Sequence, residues 1–213
     1  MKTLQTLERG LQALEVIASQ QGKLTVAKLA LALDLNRTIT YRIVKTLQAQ
    51  GYVEHDSSDG LYVGAKILHL YEQFEQKLPH NSQTLLDQLS IQTNASTAMV
   101  MADRQECVVV KTAALNSTVL QVSYRLGTRH PMGLAAAGVA VMSTFAPQAD
   151  DPAEVVEARR LGYAYSQNVL QQGAIGLFVP LAHRHMAIGL VTMSAIEVEA
   201  LLPLLQETAR RLI

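Results

Sequence analysis

Asn36-Arg37-Thr38-Ile39-Thr40-Tyr41-Arg42-Ile43-Val44-Lys45-Thr46-Leu47-Gln48 is the stretch whose reading decides the fold. Wound at about 100° per residue, Ile39, Ile43 and Leu47 gather on one side, whereas Arg37, Thr38, Tyr41, Lys45 and Gln48 gather on the other, with Arg42 on the flank. Asn36 is a good N-cap and Gly51 a good stop, so a helix is predicted between them. A helix of this length fits the DNA major groove, and its outer face offers a guanidinium able to grip guanine, a hydroxyl, an aromatic edge and an ammonium.

Working outward, Thr25 caps a short preceding helix whose Val26, Leu29, Ala30 and Leu33 share a face, joined to the next by the tight turn Asp34-Leu35-Asn36. Leu7, Leu11, Leu14 and Ala18 predict an earlier helix over residues 4–20. After Gly51 the period falls to two: Tyr52-Val53-Glu54-His55, a turn at Asp56-Ser57-Ser58-Asp59-Gly60, then Leu61-Tyr62-Val63. This hairpin would be a wing. Its tip is acidic, so it offers DNA little beyond Ser57, Ser58 and backbone amides. Ile67, Tyr71, Phe74 and Leu78 then form a seam suited to pairing with a second copy, on a connecting helix over residues 64–78 that Pro79 ends.

With 213 residues, 49% hydrophobic and 17% charged, and a mean hydropathy of +0.13, the chain is expected to fold as two small domains, 1–63 and 79–213, and not to be disordered. Its formal net charge is zero, so attraction to a polyanion has to be local. Residues 23–45 supply it: Lys23, Lys28, Arg37, Arg42 and Lys45 stand against Asp34 alone. A charged helix face is most often merely solvated; the local positive charge and the order helix, helix, helix, hairpin favour the DNA reading instead. No apolar run reaches the roughly 18 to 20 residues of a membrane span, and the start of the chain has no secretion-signal pattern, so a cytoplasmic location is expected.

The second half mixes periods: a helix over residues 82–93, strands over 96–102, 107–113 and 118–124, an alanine-rich buried helix over 132–146, a helix from Pro152 to Gly162, strands over 175–181 and 186–194, and a last helix that Pro203 should kink or interrupt. Catalytic and metal signals are weak. Cys107 opens an apolar strand with no base near it in sequence, and His183-Arg184-His185 reads as a turn without a carboxylate. No catalytic residue, metal or cofactor is expected.

The stretches Leu7-Glu8-Arg9-Gly10-Leu11, Leu24-Thr25-Val26-Ala27-Lys28-Leu29-Ala30, residues 36–47, Gly51-Tyr52-Val53 and Leu61-Tyr62-Val63-Gly64 resemble the winged helix-turn-helix domain of IclR-family transcriptional regulators. Arg125-Leu126-Gly127-Thr128-Arg129-His130-Pro131-Met132, residues 135–140, Arg160-Leu161-Gly162-Tyr163-Ala164 and Thr192-Met193-Ser194 follow in that family's order. The resemblance implies an α+β chain: the winged helix-turn-helix domain, a linker helix and a GAF-like antiparallel sheet flanked by helices. It implies a homo-oligomeric repressor or activator that binds double-stranded DNA at a near-palindromic operator and a small-molecule effector, a small organic or aromatic acid.

On this reading Arg37, Thr38, Tyr41 and Lys45 meet base edges, Thr25, Lys28 and Arg42 meet phosphate, and Asn36 and Thr40 complete the DNA-binding set. The family's effector pocket falls here on Met132, Ala135, Ala136, Gln167, Gly176, Thr192 and Ser194, with Met99 and Met101 as apolar wall. Two alternatives stand beside it: the hydroxyls of Thr192 and Ser194 bond neighbouring backbone, and the methionines fill the core. The chain departs from the family pattern at Gly133, Val139, residues 168–172 and Ala195-Ile196, and it is shorter between Gly138 and Gly162, which implies a pocket that is smaller, more apolar, or no longer used for the family's usual organic acids. The rival functions are a regulator whose shortened second domain only oligomerises and an enzyme built on the same sheet.

Overall fold

A computed structural model describes residues 3–20, 22–57, 59–114, 122–181 and 184–212. The chain divides into two compact units, Met1–Leu78 and Pro79–Ile213.

The first unit is built from α1 (Gln5–Gln20), α2 (Val26–Ala32), α3 (Arg37–Ala49), the hairpin β1 (Val53–His55) and β2 (Leu61–Val63), and α4 (Lys66–Glu75). Ala13, Ile17, Leu24, Leu29, Ile43, Val44, Val53 and Leu61 form its core. The Thr25 hydroxyl accepts the Lys28 N–H at 3.4 Å, and Asn36 Oδ1 accepts the Thr38 N–H at 2.8 Å, so both short helices begin with a satisfied amide. Gly51, at φ +76, takes the left-handed conformation that ends α3. A Cβ on Gly64 would lie 2.3 Å from the Gly51 carbonyl oxygen, so the wing closes on α3 only with glycine there. The Leu61 N–H donates to the Leu24 carbonyl at 2.8 Å and ties the wing to the start of α2. α4 buries no residue completely; Leu68 and Leu70 are exposed, and Ile67, Tyr71 and Phe74 are partly covered.

The second unit is a six-stranded antiparallel sheet in the order β5-β4-β3-β8-β7-β6, made of β3 (Ser96–Asp103), β4 (Glu106–Ala113), β5 (Arg129–Pro131), β6 (Ala164–Gln167), β7 (Ile175–Leu181) and β8 (Met186–Thr192). Helices α5 (Ser82–Thr93) and α8 (Val198–Arg210) cover one face; α6 (Ala135–Met142) and α7 (Ala153–Leu161) cover the other. Alternation sorts the side chains between them. Ala98, Val100, Cys107, Val109, Phe178 and Ala187 pack beneath α6 and α7, whereas the Thr97 hydroxyl, pointing the opposite way, donates to the Leu86 carbonyl of α5 at 2.9 Å.

Several local expectations change. Of the strand expected over 118–124, residues 118–121 lie outside the described residues, and 122–124 form no strand. β5 carries no alternation signal in its three residues, and Pro131 is tolerated because β5 is a sheet edge. α6 is shorter than the expected 132–146. Pro152 sits at the N-cap of α7, one position before the first helical residue. α8 continues through Pro203, which is exposed, so water reaches the carbonyl that loses its N–H partner.

Candidate nucleic-acid interface and ligand cleft

α3 buries Thr40, Ile43 and Val44 and turns Arg37, Thr38, Tyr41, Arg42 and Lys45 outward. Tyr41 is 51% exposed and carries Lys45 Nζ at 5.5 Å from its ring centroid, a cation-π contact that holds the ammonium along the outer face. A concavity of about 640 Å³ runs beside this face, lined by Thr25, Val26, Arg37, Thr38 and Tyr41 and, from the wing, His55 and Asp59. The first turn of α2, the first turn of α3 and the wing therefore share one hollow. Lys28 is exposed; its Nζ donates to the Lys23 carbonyl at 3.4 Å.

The second unit holds a cleft of about 310 Å³ on the α6 face of the sheet, between Val122 and Val191 in the chain. Tyr124, Arg125, Arg129, His130, Ser166 and Leu170 line it. Arg129 is held by Asp103 at 2.7 Å and Glu106 at 3.0 Å, carboxylates that raise its already high pKa; at about half exposure these bridges are screened and contribute little stability. Arg125 is exposed, and among the described residues its guanidinium has no ion-pair partner. His130 is buried; its Nδ1–H donates to the Pro131 carbonyl at 3.2 Å, and burial holds its pKa below the ordinary histidine value against the opposing pull of that carbonyl and Glu106. Beneath the cleft, burial pushes the Cys107 thiol and the Tyr124 phenol each up to about 12, with Cys107 a second cause for Tyr124. Neither ionises near neutrality. Ser166 Oγ accepts the Ala136 N–H at 2.8 Å, which leaves its O–H free to donate into the cleft. Ala135, the first residue of α6, is held at φ +53, a strained conformation for alanine.

The IclR helix-turn-helix domain matches residues 6–57. The HTH-type transcriptional regulator XynR of Escherichia coli strain K12 is 22% identical over 223 residues, covering 92% of this chain and 88% of its own. The Pca operon regulatory protein of Acinetobacter baylyi is 24% identical over 242 residues, covering 97% and 87%. Residues 6–57 are an IclR-type helix-turn-helix domain, and the chain as a whole is similar to IclR-family transcriptional regulators. Solved structures share the fold of this chain over nearly its whole length. One, an IclR transcriptional regulator from Alicyclobacillus acidocaldarius, matches with a TM-score of 0.81 at 18% identity, covering 99% of this chain and 98% of its own. Another, an IclR homologue from Microbacterium hydrocarbonoxydans solved with 4-hydroxybenzoate, has a TM-score of 0.81 at 15% identity, covering 96% of each.

Within this chain the residues singled out from sequence separate clearly. Thr25, Arg37, Thr38 and Tyr41 come together at the hollow of the first unit, with Lys45 and Arg42 further along α3. Thr40 does not join them: it is fully buried, and its hydroxyl donates to the Asn36 carbonyl at 3.2 Å, so it cannot reach DNA. Ile39, expected inside, is 42% exposed; the buried arc is centred one residue on, because a self-satisfied threonine tolerates the core. Asn36 is exposed, and its side-chain oxygen caps α3.

In the second unit, Ala135 and Gly176 line the cleft. Ala136 lies beneath it in the core, tied to Ser166. Gln167 and Thr192 occupy the wrong side of the sheet. Ser166, Gly176 and Val191 are cross-strand neighbours on the cleft face, while Gln167 and Thr192 belong to the next row, which alternates to the other face; of that row only Ile175 borders the cleft. A shift of one residue changes the face. Ser194 lies beyond β8, and its N–H donates to the Thr192 hydroxyl at 3.1 Å, so it is the Thr192 hydroxyl that bonds neighbouring backbone. Met99 and Met101 alternate with Ala98 and Val100 and face α5 and α8; Met99 is fully buried core. Met132 packs against the α6-side core and does not line the cleft.

Sequence reasoning missed Arg125, His130, Ser166 and Val191 as cleft residues. The only signal for the first two was the quoted segment 125–132 itself. Of the weak metal candidate, His183 lies outside the described residues; His185 stacks on Phe145 at 4.0 Å and contacts Thr144 Oγ1 at 3.1 Å. Among the described residues no cluster of metal-ligating side chains forms, and no helix is long and apolar enough to cross a membrane.

Proposed function

We propose that the chain acts as a symmetric homo-oligomer that binds a near-palindromic operator and changes its hold on that DNA when a small organic or aromatic acid occupies the cleft of the second unit. The observation that carries the reading is the outward row Arg37, Thr38, Tyr41 and Lys45 on α3, raised over a buried Thr40, Ile43 and Val44 and opening on one hollow with Thr25. Arg37, Thr38, Tyr41 and Lys45 meet base edges; Arg42, Thr25 and Lys28 meet phosphate and set register. One such helix buries too little surface for specific affinity, so two copies engage two half-sites. The exposed Leu68 and Leu70 of α4, with the partly covered seam at Ile67, Tyr71 and Phe74, suit the pairing.

The cleft supports an acid as effector because apolar Val169, Leu170 and Val191 lie beside the Arg125 guanidinium, which has no ion-pair partner among the described residues, and the Ser166 hydroxyl. A relative of the same fold holds 4-hydroxybenzoate. Such a ligand acts on DNA only through its differential affinity for two arrangements of the oligomer. The test is selection of a preferred duplex from random oligonucleotides at two salt concentrations, with and without 4-hydroxybenzoate. A palindromic consensus whose occupancy shifts with the acid is expected. A consensus insensitive to every small acid favours a second domain that only oligomerises, and no consensus at all contradicts the reading.

A further inference from the structure

We infer that His55, held by Gln48, is a DNA contact of the wing, donating its Nε2–H to a backbone phosphate. This rests on the proposed DNA reading and adds to it a residue outside the helix-turn-helix. His55 ends β1, is exposed, and lines the same hollow as Thr25, Arg37, Thr38 and Tyr41. Gln48 Nε2 of α3 lies 2.6 Å from His55 Nδ1. With the amide nitrogen donating, Nδ1 accepts and the ring proton sits on Nε2. In that arrangement the contact orients the imidazole and leaves the Nε2–H to donate.

The rest of the wing explains why this one donor matters. Asp59 lies on the same hollow, and Asp56 spends one carboxylate oxygen on the Gly60 N–H at 2.8 Å, so the turn offers phosphate no positive charge. A directed N–H from His55 is a favourable side-chain contact that the wing can add to its serine hydroxyls. Because Gln48 belongs to α3 and His55 to the wing, the pair also ties the angle of the donor to the helix that occupies the groove. Gln48 is then a positioning residue, acting through His55.

The experiment measures affinity of the full-length protein, at pH 8, for its selected duplex and for a scrambled one. His55→Ala is expected to weaken the selected duplex roughly tenfold, the size of one hydrogen bond to a charged group, with the salt dependence unchanged because a neutral donor releases no counterion. His55→Gln, whose amide nitrogen reaches the place of Nε2, should keep most of the affinity; His55→Asn, which reaches only the place of Nδ1, should not. Gln48→Leu should lose as much as His55→Ala, and the double variant no more than either. Melting temperatures of the variants guard against misfolding. Wild-type affinity in His55→Ala overturns the inference, as do equal affinities for His55→Gln and His55→Asn. A wild-type protein that binds no duplex overturns the DNA reading itself, a different result.

Discussion

The outward face of α3 and the cleft beside α6 are both polar openings over an apolar core, yet they are assembled in opposite ways. The first draws its main side chains from thirteen consecutive residues of one helix, where the spacing that buries Ile43 and Val44 also exposes Tyr41 and Lys45. The second gathers Arg125, His130, Ala135, Ser166, Gly176 and Val191 from separate elements, and the pairing of strands decides which residue faces inward. A site on one helix tolerates a small error in phase; a site on a sheet does not, since a shift of one residue moves a side chain to the opposite face.

The contrast is sharpest where one region rests on its core and the other does not. Phe178 is fully buried beneath the cleft, with the Tyr124 ring edge-on at 6.2 Å, so Phe178→Ala should destabilise the second unit by about 3–5 kcal/mol in denaturant unfolding. Arg37→Ala, by comparison, should leave the unfolding midpoint unchanged and cost about 1–3 kcal/mol of discrimination at a single base position. A loss spread evenly over specific and random duplexes would instead make Arg37 a phosphate contact.

The parity of β6 can be broken directly. Ser166→Ala removes the acceptor of the Ala136 N–H and should cost about 1–3 kcal/mol of stability, whereas Gln167→Ala, on an exposed side chain, should stay within about 0.5 kcal/mol. Equal effects would contradict the observed strand register. A smaller effect concerns pH. Because burial depresses the proton affinity of His130, the folded chain stays neutral there while the unfolded chain protonates, so stability is full above about pH 6.5 and falls as pH drops below it. His130→Phe should flatten the decline between about pH 7 and 5, read from denaturation midpoints. An unchanged slope would mean that His130 titrates alike in both states.

Legibility from sequence follows the same division. The three helices and the wing were readable because caps at Thr25 and Asn36, the stop at Gly51 and two clear periods all lie within short windows. Thr40 was misjudged because its hydroxyl is satisfied by its own helix, which a polarity pattern cannot register. The sheet strands β3, β4, β7 and β8 were readable from composition, and the three-residue edge strand β5 was not. Cleft residues carried over by resemblance landed on the cleft at Ala135 and Gly176, and on the opposite face at Gln167 and Thr192, because alternation fixes relative but not absolute orientation. Only the pairing of β6, β7 and β8 supplies that.

The most direct test of α3 as a groove-binding helix is the ratio of dissociation constants for the selected duplex and a scrambled duplex of equal length, measured at one moderate salt concentration. The account predicts a preference of roughly 10³ or more, in keeping with specific DNA-binding proteins. A ratio near one would contradict it.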